Sequence, residues 1–205
     1  KDLTDDYTFT RIRAIAKFGN GASNSYSNNN YSSSSNYSSS GRTYKVGDYY
    51  NENGKEGVVF EVTDGGRHGK IVSMKRSKKR LQWSSDSYEQ RRLIGANSKT
   101  DGAYNMSKVK AVSGWQSKYP AFKWCADLGD GWYLPAKEEL LTIYKYKVLI
   151  NDNLRDKLTE RNWSSTEENV KYLGEFCAWI VDMDDGGTTN LGKFSDYYVR
   201  AVSAF

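Results

Sequence analysis

The sequence predicts an α+β domain, and three observations carry the prediction. Two short apolar runs, over 58–62 and 70–74, flank a glycine-rich turn; apolar residues recur at helical spacing between 105 and 146; strand-like runs return over 178–183 and 197–205. Strands at both ends of a segment with helices between them belong to that class.

The chain has 205 residues, enough to bury a sizeable core, and aromatic residues make up 14% of it. Such a core should be rich in Tyr and Trp, which tolerate partial burial because each keeps a polar handle. The net charge is +5, with 30 basic against 25 acidic residues, which requires no polyanionic partner. The basic run KRSKKR, over 75–80, reads either as a solvated loop or as a contact patch for an anionic glycan, lipid or nucleic acid. No helix-turn-helix, zinc-finger or aromatic RNA-binding pattern accompanies it, so nucleic acid is disfavoured. No run is long enough to cross a bilayer, and because the chain starts at Lys1 the lack of a visible signal peptide says nothing about export.

From the start, TFTRIRAIAKF over 8–18 alternates Ile12, Ala14, Ala16 and Phe18 with Arg11, Arg13 and Lys17, the period of a strand with one covered face. The Ser/Asn/Tyr-rich stretch over 19–41 has little apolar surface to offset ordering and reads as a flexible segment, with Tyr26, Tyr31 and Tyr37 as possible stacking groups. The runs at 58–62 and 70–74 read as a hairpin whose longer loop holds the sole histidine, His68, assigned a structural or solvent role. Met106, Val109 and Val112 mark a helix over 105–115. Pro120 opens another over 121–128, with Phe122 and Cys125 on its apolar face and Gly129 after its end. No partner pattern supports an activated thiolate at Cys125, and the two cysteines, Cys125 and Cys177, permit either one long-range disulfide or two buried thiols.

In WYLPAKEELL, Trp132 and Leu134 form a brief strand, Pro135 stops the ladder, and a helix over 136–146 turns Leu140, Leu141 and Tyr144 to the core. Glu138 and Glu139 sit in its first turn, where the exposed amides favour acidic groups. Neighbours on a helix point about 100° apart, so they are not a converging catalytic pair. A mixed stretch with a turn or short helix follows over 146–158, and then strands over 178–183 and 197–205 around the turn DDGGTTN. The last strand ties the C-terminal residues into a sheet, so deleting 197–205 should cost the fold.

The ordered segments YKVGDYYNENGKEGVVFEV, GGRHGKIVSM, GDGWYLPAKEELL, NWSSTEEN, CAWIVDMDDGG and YYVRAVSAF resemble the C-type-lectin-like domains of bacterial surface proteins. These include the collagen-like protein C-terminal domain and the fibrobacter major paralogous domain. The resemblance spans 42–205. It implies two helices packed on twisted antiparallel sheets, a location at the bacterial cell surface or outside the cell, and no cofactor. It also implies a helix-to-strand bridge between Cys125 and Cys177. A more distant similarity, to the variable proteins of diversity-generating retroelements, implies a presenting surface made of Trp163, Ile180, Asp182, Asp184, Thr188, Asn190, Leu191, Phe194 and Asp196. This region is less dense in Asn, Tyr and Ser than theirs.

The sugar-binding motifs of animal C-type lectins are absent. Asp182, Asp184 and Asp185 nevertheless offer hard oxygen ligands for calcium. The leading expectation is a non-catalytic binding or adhesion module for a protein, peptide or glycan. A structural or filament-tip module joined by strand exchange is second, and a metal-dependent oxidative enzyme, similar in fold to sulfatase-modifying oxygenases, is third.

Overall fold

A computed structural model of the chain describes residues 41–168 and 176–205. The strand expected over 8–18, and the low-complexity stretch over 19–41 except its last residue, lie outside the described residues. In chain order the elements are β1 (Tyr49–Glu52), β2 (Lys55–Thr63), β3 (His68–Ser73), β4 (Leu81–Gln82), α1 (Gly102–Lys110), α2 (Trp115–Lys118), α3 (Pro120–Ala126), α4 (Lys137–Lys145) and α5 (Lys147–Asn153). They continue with β5 (Arg161–Glu167), β6 (Cys177–Asp182), β7 (Thr188–Gly192), β8 (Asp196–Tyr197) and β9 (Val202–Ala204). Among the described residues this is a mixed α+β fold of five helices and three small antiparallel sheets, ordered β1-β2-β3-β9, β4-β8 and β5-β6-β7.

The hairpin β2–β3 forms where the two apolar runs predict it, with Val58, Val59, Phe60, Ile71 and Val72 fully buried. Its turn depends on Gly66, whose φ is 91°; a Cβ there would stand 2.3 Å from the Tyr44 carbonyl oxygen. His68 opens β3, exposed and opposite Thr63. The helix expected over 105–115 is shorter: Asp101 caps α1 by accepting from the Tyr104 amide at 2.8 Å, and the helix ends at Lys110 before α2 begins at Trp115.

The single strand expected over 197–205 is two. Tyr197 pairs with Leu81, whereas Val202 pairs with Val72 and bridges to Tyr133. Between them serine hydroxyls take the backbone bonds that a ladder would use. The Val199 amide donates to Ser77 Oγ at 3.0 Å and the Ala201 amide to Ser73 Oγ at 3.2 Å. Arg200 is buried here and donates to the carbonyls of Ser73 and Asp156 at 2.9 and 2.8 Å. Burial pushes its guanidinium down to about 10. The C-terminal residues are tied in, as expected, with the Phe205 amide donating to Gly69 O at 3.0 Å.

The motif segments meet at the centre. The Ser165 amide donates to Pro135 O at 2.8 Å, the Lys137 amide to Thr166 Oγ1 at 3.1 Å, and Asn105 Nδ2 to Ser165 Oγ at 2.9 Å. WYLP and WSSTE are thus one joint that holds α1, α4 and β5 together. Around it Trp83, Tyr119 and Phe122 pack edge to face, and the buried Trp83 indole donates to Ser164 O at 3.0 Å.

Candidate functional site

Where β6 leaves the core its last carboxylate meets the first residue of β5. Arg161 stands opposite Asp182 in the register and donates to it at 3.2 Å. Glu160, with a positive φ of 61°, turns the chain into β5 and receives Arg80 at 2.6 Å and Arg76 at 3.2 Å. These pairs wall an open groove of about 380 Å³, completed by Asp184, Asp196 and Tyr197. The hydrogen bond from Arg80, helped by Arg76, holds Glu160 below the usual carboxylate range. Asp182, then Tyr197, holds the Arg161 guanidinium above its usual value. A smaller hollow of about 140 Å³ shares Arg161 and Asp182 and adds Asp185, Thr188 and Thr189. The site therefore presents fixed charges of both signs on a sheet whose inner side is core.

The expected presenting residues divide. Asp182, Asp184, Asp185, Thr188 and Asp196 line the two hollows. Asn190 and Phe194 are exposed nearby and Leu191 is half-buried; Asn190 donates to Glu168 at 2.8 Å, and the Phe194 ring lies over Gly192. Trp163 is buried and lines neither hollow; Ile180 is buried too but forms part of the wall of the smaller hollow. Trp163 stacks edge to face on Tyr197 with centroids 5.1 Å apart and donates its indole N–H to Leu81 O at 2.8 Å. Ile180 lies opposite it across β5–β6, on the core side.

The three candidate calcium ligands are each engaged locally. Asp182 faces Arg161 and accepts the Asp184 amide at 3.0 Å, Asp184 accepts the Glu160 amide at 3.1 Å, and Asp185 accepts the Gly187 amide at 2.7 Å. The three carboxylates are spent on separate local bonds, and among the described residues no group of three acidic, His or Cys side chains is placed to hold a metal.

The implied bridge between Cys125 and Cys177 is not formed, and both are free thiols. Cys125 is sealed in the core, where burial pushes its thiol well above the usual range. Cys177 is half-buried at the start of β6 and also raised by burial, with Lys193 opposing. In non-reducing buffer a thiol reagent should therefore modify Cys177 slowly and leave Cys125 untouched until denaturant is added. An intact mass short of a pair of hydrogens, with no reactive thiol after unfolding, would refute this.

Three groove residues, Glu160, Arg161 and Tyr197, were not singled out by the sequence as site residues, whereas Arg80 closes the basic run over 75–80. Their signal is the cross-strand register that sets Arg161 against Asp182, which becomes readable only once β5 and β6 are paired. Compared with known proteins, the chain matches no family model and no curated sequence.

Proposed function

We propose that residues 42–205 form a C-type-lectin-like, non-catalytic binding module, displayed at a bacterial surface or secreted, that recognises a protein, peptide or glycan through the Arg161–Asp182 groove. The observation that carries the reading is the gathering of Asp182, Asp184 and Asp196 with Arg80, Arg161 and Tyr197 around one open groove, with Phe194 exposed beside it. Ordered charged groups in fixed pairs suit selection of a polar ligand by complementarity, and an exposed ring supplies contact area at small entropic cost. Glu160, held low by Arg80 and Arg76, stays ionised across the neutral range and is ill-suited to donate a proton. The lectin-like reading is supported by the helices packed beside antiparallel sheets and by the last strand closing the first sheet.

An immobilised array of glycans and peptides should give a saturable ligand. The double variant Asp184→Ala with Phe194→Ala should then bind it at least about tenfold more weakly. Stability should change by no more than about 0.5 kcal/mol per exposed site. A verified ligand whose affinity does not respond to the double variant would place binding elsewhere.

A further inference from the structure

In the basic run at 75–80 the arginines and the serine are committed to the fold. Arg76 lies 3.7 Å over the Tyr198 ring and shares Glu160 with Arg80, while buried Ser77 donates its amide to Val199 O at 2.8 Å. Lys75, Lys78 and Lys79 are exposed, and among the described residues none has a carboxylate within ion-pair distance. These three lysines rim a hollow of about 640 Å³ whose apolar wall is Leu81, Trp124 and Leu128. Leu128 is exposed, and Leu81 and Trp124 are half-buried. A second hollow of about 240 Å³ shares Lys75 and Leu128 and reaches Trp132 and Arg155, so the surface runs on as a groove. Its two carboxylates are already engaged: Asp156 accepts the Arg76 amide at 3.2 Å, and Glu56 pairs with Arg155.

We infer that this groove binds an extended acidic peptide segment, with an apolar side chain on Leu81, Trp124 and Leu128 and flanking carboxylates on Lys75, Lys78 and Lys79. This is a second site and does not rest on the reading of the Arg161–Asp182 groove. Unpaired cations around an apolar floor are complementary to an apolar anchor between acids. A sugar fits less well. A neutral one carries no charge to complement the three lysines, and Ser77 Oγ, the hydroxyl lining the larger hollow, already accepts the Val199 amide. An acyl chain would stay half in water along an open groove, losing much of the gain from its burial.

The test uses the full chain and a short fluorescein-labelled peptide in which aspartates and glutamates flank a central Leu-Phe pair, followed by anisotropy. Binding should saturate and weaken as salt is raised. The triple variant Lys75→Glu, Lys78→Glu, Lys79→Glu, all at exposed positions, should bind about tenfold more weakly or worse. Leu128→Asn, also at an exposed position, should weaken binding too. A control peptide with Ser-Ser in place of Leu-Phe should bind worse than the probe. Absence of saturable binding, equal binding of the Ser-Ser control, or an unaffected triple variant would each overturn the proposal. Tighter, lysine-dependent binding of a heparin oligosaccharide or of phosphatidylglycerol vesicles would overturn it in favour of a glycan or a membrane.

Discussion

Replacing Lys193 by Met is expected to destabilise the domain by about 3 kcal/mol or more, because it strands a buried carboxylate. Lys193 and Glu167 have side chains that are 0% exposed, and their ion pair is 2.6 Å long. Lys193 also donates to Arg92 O at 2.9 Å and lies 4.8 Å over the Trp83 ring. Glu167 Oε2 accepts three successive amides, from Ile94, Gly95 and Ala96, at 3.1, 3.0 and 3.0 Å. The pair thus staples the 92–96 loop to β5 and to the loop after β7. Burial pushes the Lys193 ammonium below its usual range while Glu167 pulls the other way, the signature of a charge that its partner keeps in place.

With Met at this position the amides still solvate the carboxylate in part, which sets the effect at the lower end of the range for broken buried pairs. For a chain of this size the melting temperature should fall by about 6–12 °C. Because Lys193 sits between Gly192 and Phe194, the same change should loosen the rim that carries Phe194 and Asp196 and weaken ligand binding at the groove. Calorimetry showing a loss under about 1 kcal/mol would mean that water reaches the pair and that the staple is not dry.

How much of this could be read from the sequence depends on whether a residue's partner is near it in the chain. The β2–β3 hairpin and the helix after Pro135 rest on local signals, glycine turns and first-turn acids, and both formed as expected. Trp163, carried over from the resemblance as a presenting residue, is buried, because alternation along a strand does not reveal where the core stops. Ile180 and Asp182 share a parity, yet Ile180 lies over the core and Asp182 is half-buried at its edge. Lys193 and Glu167 lie 26 residues apart, and nothing local in the sequence marks either as buried. The 75–80 run was legible as basic, but its split into committed arginines and unpaired lysines required Glu160 and Tyr198, both distant in sequence. Composition finds charges; the fold decides which are spent.

The adjacent acids of WYLPAKEELL supply the second large contrast: Glu139→Ala should cost about 3 kcal/mol or more, and Glu138→Ala less than about 0.5 kcal/mol. Glu138 is half-buried with 44% of its side chain exposed, and its nearest cation is Lys137 at 3.4 Å, a loose solvent-facing pair of little weight. Glu139 is buried, and both of its oxygens are doubly engaged. Oε2 accepts the Ala136 amide at 2.8 Å and the Gly102 amide at 3.1 Å, whereas Oε1 accepts the Tyr133 hydroxyl at 2.9 Å and pairs with Lys70 at 3.0 Å.

The first of these bonds is half a capping box; Ala136 has no side-chain oxygen to return the other half, so Thr166 Oγ1 and Lys99 O take the Lys137 and Glu138 amides while the Ala136 amide relies on this carboxylate. The second fixes the N-terminus of α1, and it explains why position 102 is glycine: a Cβ there would lie 2.7 Å from Glu139 Oε2 and 2.6 Å from Leu134 O. Removing the carboxylate leaves two amides and a phenol without their acceptor, each carrying its own desolvation cost, and leaves Lys70 with Glu61 alone. Glu139→Gln keeps the shape but turns one acceptor into a donor facing donors, so it should recover only part of the loss. Combining Lys70→Met with Glu139→Gln should recover little more, since Lys70 keeps Glu61 as a partner in the single variant. If Glu139→Ala instead melts with the wild type while ligand turnover or binding disappears, the carboxylate is serving a substrate rather than the two helix starts, and the scaffold reading of this motif fails.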